Sequence, residues 1–569
     1  MLLLLPTSSS KMEVTWQGPF RLVGKRPNGN YDIMIGNRKA TYHINLLRKY
    51  YVDDDANAAR CMMVIDSPDG GGADDDLWAA AFDWTDSTGS DTAGTETTTE
   101  RPIQFGQHLT EHQRDEIQQL IAEFPDVLTD KIGRTNLIEH VIEVVDEQPT
   151  FQKSYPIPEA LKQQVHDEIQ RMLENDVIQI DDDTQYNNPL IAIKKPNGQL
   201  RLVHNFIQLN KKTINRPHPM HDIREILNKV ASAKFLTHID IQVCYWQIPL
   251  GKNSQRYTGF TTPWGITYSY KVMPMGLRCA SFTCQKLMDK ILRGAHRFAT
   301  SLLDDITVFS TDFDSHKNHV TDVLTRLRQA GLTANVRKCK FATNEMKLFG
   351  FEVKDGCITP DQEKVQAVAE WKLPNTKKKL RSFLGFTNFL REHIHKYSEL
   401  AFELTEMLGK NKPDKILWTE KAIKSFEQLK QAVTMKPVVR SPNFKKPFYL
   451  MTDASCTAIG CVLMQPGDTE NESPHVIAYA SRKLLPRERI KSTVELELTA
   501  IAFGLTKFHV YLYNNSTTVF TDHRPLQWLN SLSKHSPRLA RLNLIIQQYG
   551  ITTTYVPGKI QPADALTRL

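Results

Sequence analysis

The 569 residues are too many for one hydrophobic core, because single cores stop growing at about 250–300 residues, so several domains are expected. An apolar share of 40% with 24% charged residues fits a soluble globular chain and excludes a disordered or membrane-embedded one. The formal charge of +7 is uneven: Asp53 to Glu100 carries about a dozen net negative charges, so about +19 falls on the rest, an excess that favours a polyanionic partner.

Met1-Leu-Leu-Leu-Leu5 is too short, and lacks the basic lead-in, to be a secretion signal. Residues 1–52 mix short apolar runs with turns such as Pro27-Asn28-Gly29-Asn30, the pattern of a small β-rich module. Residues 53–105 are Asp-rich with Gly70-Gly71-Gly72, and read as an acidic low-complexity linker. Asp86-Ser-Thr-Gly89 and Asp91-Thr-Ala-Gly94 echo the turn of aspartic proteases but lack its apolar flanks. From about residue 109, Ile117, Leu120, Ile121 and Phe124 recur at helical spacing, and Leu161, Val165, Ile169 and Leu173 predict a second helix over roughly 158–175. Strands and helices then alternate to about 352, helices dominate roughly 361–435, and a strand-rich segment opens at Pro447-Phe-Tyr-Leu-Met451. No run of about 18 apolar residues is present to span a membrane. The eight cysteines show neither CxxC nor a Cys/His ladder, and read as reduced thiols of an intracellular protein.

Two groups of carboxylates stand out. In Leu236-Thr-His-Ile-Asp-Ile241, strand alternation would set Asp240 opposite Ile239 and Ile241. In Ala299 to Phe309, apolar runs flank Asp304-Asp305 as in a tight hairpin. Toward the end, Phe448-Tyr-Leu-Met-Thr-Asp453 is an apolar strand ending in an acid. Ser492-Thr-Val-Glu-Leu-Glu-Leu498 opens a helix with Leu498, Ile501, Leu505 and Phe508 on a buried face and Glu497 at its rim. Thr518-Val-Phe-Thr-Asp522 is another strand ending in an acid, and Pro562-Ala-Asp564 starts a last helix. A single such acid is usually a turn or capping residue. Nucleotidyl transfer and phosphodiester hydrolysis, however, use pairs of cations about 3.5–4 Å apart, held by hard oxygen ligands on separate elements.

The chain resembles gypsy-type LTR-retrotransposon Pol polyproteins over nearly its whole length. The motifs run in order: Thr129-Asp130 to Glu139-His140, Asn188-Pro-Leu-Ile-Ala-Ile-Lys-Lys195, Leu209-Asn210-Lys-Lys-Thr-Ile214, Tyr245-Trp-Gln-Ile248, Met273-Pro-Met-Gly-Leu277 and Phe383-Leu-Gly-Phe-Thr-Asn388. The resemblance implies an α/β (α+β multidomain) architecture, with a right-hand polymerase of fingers, palm and thumb joined to a ribonuclease H-like domain. It assigns Asp240, Asp304 and Asp305 as metal ligands of the polymerase, Lys194 and Arg201 as contacts to the incoming triphosphate, Tyr245 as the steric gate against a ribose 2′-hydroxyl, and Phe349-Gly350 as the hold on the primer end. Asp453, Glu497, Asp522 and Asp564 resemble the ribonuclease H set, with Glu495 the substitute should the helix register differ. Trp16-Gln-Gly-Pro-Phe20, Tyr31-Asp-Ile and His43-Ile-Asn-Leu-Leu47 resemble the SH3-like module that ends retroelement integrases.

The expected organisation is an SH3-like module at 1–52, the linker at 53–105, a helical lead-in at 106–180, fingers and palm at 181–353, thumb and connection helices at 354–440 and ribonuclease H at 441–569. The implied cofactor is Mg²⁺, two ions per site, with Mn²⁺ as the alternative. The implied partners are an RNA template, a DNA primer, the RNA–DNA hybrid, deoxynucleoside triphosphates and other Pol products, with no membrane. The implied location is intracellular, in a cytoplasmic retroelement particle with access to the nucleus. Four departures accompany the match: Leu302 replaces an aromatic, Val243-Cys244 a Ser-Gly pair and Asn205-Phe-Ile207 an Asp-Tyr-Arg run, while Met275 stands where Phe or Gln is common. They leave a second reading open, a decayed or repurposed copy that binds nucleic acid without catalysis.

Overall fold

The computed structural model describes residues 103–194, 200–409, 412–435, 438–469, 472–521 and 537–556, and the backbone of six strands between residues 2 and 48. The chain divides into two compact units, Met1–Ala73 and Asp74–Leu569. The first contains β1 (Leu2–Thr7), β2 (Ser10–Gln17), β3 (Arg21–Lys25), β4 (Asn30–Ile35), β5 (Arg38–His43) and β6 (Leu47–Arg48). They form two three-stranded sheets, ordered β2-β1-β6 and β3-β4-β5, and among the described residues no pairing closes these into a barrel. The expected linker lies outside the described residues up to position 102.

The second unit opens with β7 (Gln104–Phe105) and α1 (Glu111–Ala122). Thr110 and Gln113 cap α1 reciprocally, which satisfies two otherwise orphaned amides, and Ile117, Leu120 and Ile121 form its buried stripe. In α2 (Glu159–Glu174) the buried residues are Val165, Ile169 and Met172. The stripe therefore closes on Met172, and Leu161 and Leu173 flank it half-covered.

Next come β8 (Ile178–Ile180), β9 (Leu190–Lys194), β10 (Leu200–His204), α3 (Ile223–Ala231), β11 (Phe235–Asp240), β12 (Phe260–Thr261), β13 (Thr267–Tyr270), α4 (Ala280–Ile291), β14 (Ala299–Leu302), β15 (Asp305–Ser310), α5 (Phe313–Gln329) and β16 (Lys340–Thr343). The central sheet runs β14-β15-β11-β16-β7. Ile239, Ile306 and Val308 are fully buried in its core together with Val320, Val323, Leu324 and Leu327 of α5, each side chain contributing roughly 1.5–3 kcal/mol.

A second sheet is built from β17 (Glu345–Leu348), β18 (Phe351–Lys354), β19 (Cys357–Pro360) and, after α6 (Gln362–Ala369), α7 (Lys377–Phe389), α8 (Tyr397–Leu400) and α9 (Glu420–Thr434), β20 (Val439–Arg440). The chain continues through β21 (Phe448–Ala454), β22 (Ala458–Gln465), β23 (His475–Lys483), α10 (Thr493–Lys507), β24 (Thr517–Thr521), α11 (Pro537–Gln547) and β25 (Thr552–Tyr555). Its sheet order is β23-β22-β21-β24-β25, with β21 parallel to β24 and β24 parallel to β25. One apolar cluster runs from Leu236, Leu302 and Phe309 through Phe351, Phe383 and Phe426 to Met451, Val462 and Met464. The C-terminal sheet is thus packed onto the preceding helices, and polar contacts reinforce it. Arg224 Nη2 donates to Ile477 O at 2.6 Å, and Asn228 Nδ2 donates to Tyr511 OH at 3.0 Å. Among the described residues no helix is long and apolar enough to cross a membrane.

Candidate functional site

Alternation along β11 buries Ile239 and turns His238 and Asp240 to the other face. β11 pairs antiparallel with β15 in the register His238↔Thr307, Ile239↔Ile306, Asp240↔Asp305. The hairpin of β14 and β15 closes with Leu302 opposite Asp305, so its two turn residues are Leu303 and Asp304. This shifts the expected turn by one residue: Asp304 lies in the turn, and Asp305 begins the returning strand. Leu303 adopts a left-handed φ of 57°, which costs an L residue roughly 1–2 kcal/mol. The buried Gln285 of α4 holds it there, its Oε1 accepting from Leu303 N at 2.9 Å.

One ligand atom each from His238, Asp240 and Asp305 lies within 4.8 Å of the other two. Lys338 Nζ approaches Asp240 Oδ1 at 3.7 Å, and His238 Nε2 approaches Asp305 Oδ1 at 3.5 Å. Burial raises the Asp305 carboxyl to about 6, with Lys338 opposing the shift. Burial, with Lys340 and Lys338 nearby, lowers His238 to about 4, so its imidazole is neutral near pH 7. Two carboxylates and a neutral imidazole are a donor set suited to a divalent cation, and the burial that disfavours a bare carboxylate is offset by one. Asp304 contributes its carbonyl, which accepts from Ile241 N at 3.3 Å; its carboxylate is outside the three-residue group. Sequence reasoning missed His238, although it shares the Asp240 face by alternation. It also missed Lys338, whose approach depends on the chain returning after α5.

Tyr245 lies on a 3-10 turn, Cys244–Gln247, not on a strand. Val243 before it has φ 41° and ψ 55°, a left-handed conformation costly for a β-branched residue. Cys244 packs against Cys284, Sγ to Sγ 3.2 Å, and that contact together with burial raises its thiol pKa well above the ordinary value. Lys194 ends β9 opposite Leu200, its side chain outside the described residues, and Arg201 follows on β10. The Arg201 guanidinium reaches Met275 Sδ, which ties this hairpin to the segment Met273–Leu277. Phe349 and Gly350 are the two turn residues between β17 and β18, both left-handed at φ 51° and 81°, as a type I′ hairpin requires. Leu302 is buried in the apolar cluster, and Asn205 donates to Tyr155 OH at 3.0 Å while its Oδ1 accepts from Ile207 N at 3.1 Å.

In the C-terminal domain, Asp453 lies near the end of β21 opposite Gly460, half-exposed, with Lys396 Nζ 2.8 Å from its Oδ2. Ser492 and Glu495 form the capping box of α10, so Glu495 serves the helix start and Glu497 is the acid left to a site. Glu497 is 5% exposed and is therefore buried, not at the rim. An added Cβ on Gly504 would lie 3.2 Å from Leu450 and Cys461, so α10 rests on the sheet there. Glu497, about two turns earlier at 3.6 residues per turn, shares that face. Asp522 and Asp564 lie outside the described residues.

Residues 193–387 match the family model of reverse transcriptase (RNA-dependent DNA polymerase), and residues 443–549 match that of the RNase H-like domain found in reverse transcriptase. The retrovirus-related Pol polyprotein from transposon 297 of Drosophila melanogaster is 33% identical over 81% of this chain and 44% of its own length. The transposon Tf2-3 polyprotein of Schizosaccharomyces pombe is 31% identical over 80% of this chain and 34% of its own. The chain thus spans less than half the length of these relatives. Among solved structures, the foamy viral protease-reverse transcriptase dRH in complex with double-stranded DNA superposes with a TM-score of 0.71 at 17% identity, covering 93% of this chain and 90% of that one. The foamy viral protease-reverse transcriptase in complex with an RNA/DNA hybrid gives 0.65 at 19% identity, covering 79% and 61%. These two likenesses show a shared fold. The two family models and the transposon relatives identify the chain as a gypsy-type reverse transcriptase and RNase H-like region, similar to that of retrovirus-related transposon Pol polyproteins.

Proposed function

We propose that this chain copies RNA, and then DNA, into DNA at the β11–β15 centre and degrades the RNA strand of the resulting hybrid at the C-terminal centre. The observation that carries the reading is the cross-strand placement of Asp240 against Asp305 beside the Asp304 turn. Mg²⁺ pairs, with Mn²⁺ as the alternative, would supply the Lewis acidity that activates a primer hydroxyl, or a water, and steadies the leaving oxygen. Asp240 and Asp305, with His238 beside them and Asp304 turning in from the adjoining hairpin, would hold the first pair, and Asp453, Glu497, Asp522 and Asp564 the second. The protein's own part is positioning and charge. Lys194 and Arg201 would neutralise the triphosphate of an incoming deoxynucleotide, Tyr245 would crowd a ribose 2′-hydroxyl, and Phe349-Gly350 would support the primer end. Lys338 would yield Asp240 to the cation.

The substrates in this reading are an RNA template, a DNA primer, deoxynucleoside triphosphates and the hybrid. That solved relatives of the same fold hold double-stranded DNA or an RNA/DNA hybrid supports a duplex ligand. The remaining Pol products would act with it inside a cytoplasmic particle with access to the nucleus. The test is extension of a DNA primer on an RNA template, run beside Asp304→Asn/Asp305→Asn, and cleavage of a labelled hybrid beside Asp453→Asn. Activity lost only in the matching variants supports the proposal. Inactivity of the parent with duplex binding intact would instead support a binding protein without catalysis.

A further inference from the structure

Lys396 belongs to the segment between α7 and α8, ahead of the C-terminal domain, yet its ammonium sits 2.8 Å from Asp453 Oδ2. Its backbone is left-handed, at φ 52° and ψ 31°, a conformation that L residues adopt at a cost. The segment is pinned to the C-terminal sheet: Ser398 N donates to Ser481 Oγ at 2.9 Å, and Ser481 Oγ donates to Ser398 Oγ at 3.1 Å. Asp453, Gly460 and Ser481 form one row across β21, β22 and β23. Gly460 puts no side chain into that row, and among the described residues, its chain neighbours aside, the nearest atom to where one would begin is Ala480 O at 3.9 Å. The resulting shallow notch is lined by Lys396, Glu399, Asp453, Gly460 and Ser481.

We propose that Lys396 is a positioning residue that occupies Asp453 in place of a divalent cation, so that cation and ammonium compete for the same carboxylate oxygen. An ammonium and a divalent cation held by the same carboxylate repel one another at this spacing, so cation loading favours the lysine moving away. Because Lys396 is borne by the segment that joins the polymerase-side helices to the C-terminal domain, cation loading at that domain is coupled to where the segment sits. The inference rests on the reading of Asp453 as a cation ligand.

The test is Mn²⁺ binding followed by electron paramagnetic resonance on the full chain, in an Asp240→Asn/Asp305→Asn background that silences the first centre. Lys396→Gln is expected to bind Mn²⁺ about two- to fivefold more tightly than the background, the range set by a half-exposed ion pair. Lys396→Arg, which keeps the charge, is expected to match the background, and Asp453→Asn to bind more weakly. Weakened binding in Asp453→Asn with no gain in Lys396→Gln overturns the competition and leaves Asp453 a ligand. Unchanged binding in Asp453→Asn overturns the ligand reading, and the competition with it.

Discussion

Asp240 and Asp305 stand directly opposite one another on adjacent antiparallel strands, and His238 and Lys338 close the space around them. Burial raises Asp305 to about 6, so holding this carboxylate ionised costs the fold something that a bound cation returns. Mg²⁺ is therefore expected to stabilise the chain, by about 1.4 kcal/mol at ten times its Kd. Thermal unfolding with and without Mg²⁺ measures this. The increment should shrink in Asp240→Asn and Asp305→Asn, and an equal increment in all three would place the stabilising ion elsewhere.

Val243 is a β-branched residue in left-handed backbone immediately before Cys244 and Tyr245. Asn tolerates that region, so Val243→Asn is expected to gain about 1 kcal/mol. Denaturant titration reads the change. A loss of stability would mean that the valine side chain contributes more in packing than its backbone costs.

Acid should weaken the core through its buried histidines. His316 is held between Thr237 Oγ1 at 2.7 Å and Ser310 Oγ at 2.9 Å, and burial lowers its pKa to about 3. The unfolded chain takes up a proton at this residue near 6.5 and the folded chain does not until about 3. Its contribution is therefore intact above 6.5 and is lost as pH falls toward 3, about 2 kcal/mol of it by pH 5. His316→Asn is expected to lower stability at pH 7 yet flatten the fall between pH 7 and pH 5. An unchanged slope, measured by denaturant midpoints, would remove His316 from the acid response.

Arg224 joins α3 to the C-terminal sheet through its bond to Ile477 O. Leaving that carbonyl without a charged donor costs roughly 1.5–3 kcal/mol, so Arg224→Ala is expected to expose the C-terminal domain to limited proteolysis before the polymerase part. Simultaneous cleavage of both parts, at the parent's rate, would show that the shared apolar cluster suffices for docking.

Much of this was legible in the sequence because local rules decide it. The stripe of Ile117, Leu120 and Ile121 and the apolar run ending at Asp453 produce the helix and strand expected of them. The boundary of the Asp304 turn was displaced by one residue because the cross-strand register, not turn propensity, fixed Leu303 in a left-handed conformation that only its packing and Gln285 sustain. Glu497 was expected at a rim because one helical stripe was assumed, whereas α10 is covered nearly all round, from Leu496 to Leu505. Lys338 and Lys396 left no local signal: each reaches its carboxylate only after distant segments pack, and no spacing rule encodes that.

The central claim is that Asp240 and its partner across the sheet drive templated DNA synthesis. Single-turnover incorporation of one deoxynucleotide, started by Mg²⁺ on a primed RNA template, tests it most directly in the parent and in Asp240→Asn. The expected result is a loss of about a thousandfold or more in rate, equivalent to roughly 4 kcal/mol, with template–primer affinity unchanged. Incorporation by Asp240→Asn within tenfold of the parent would contradict the claim.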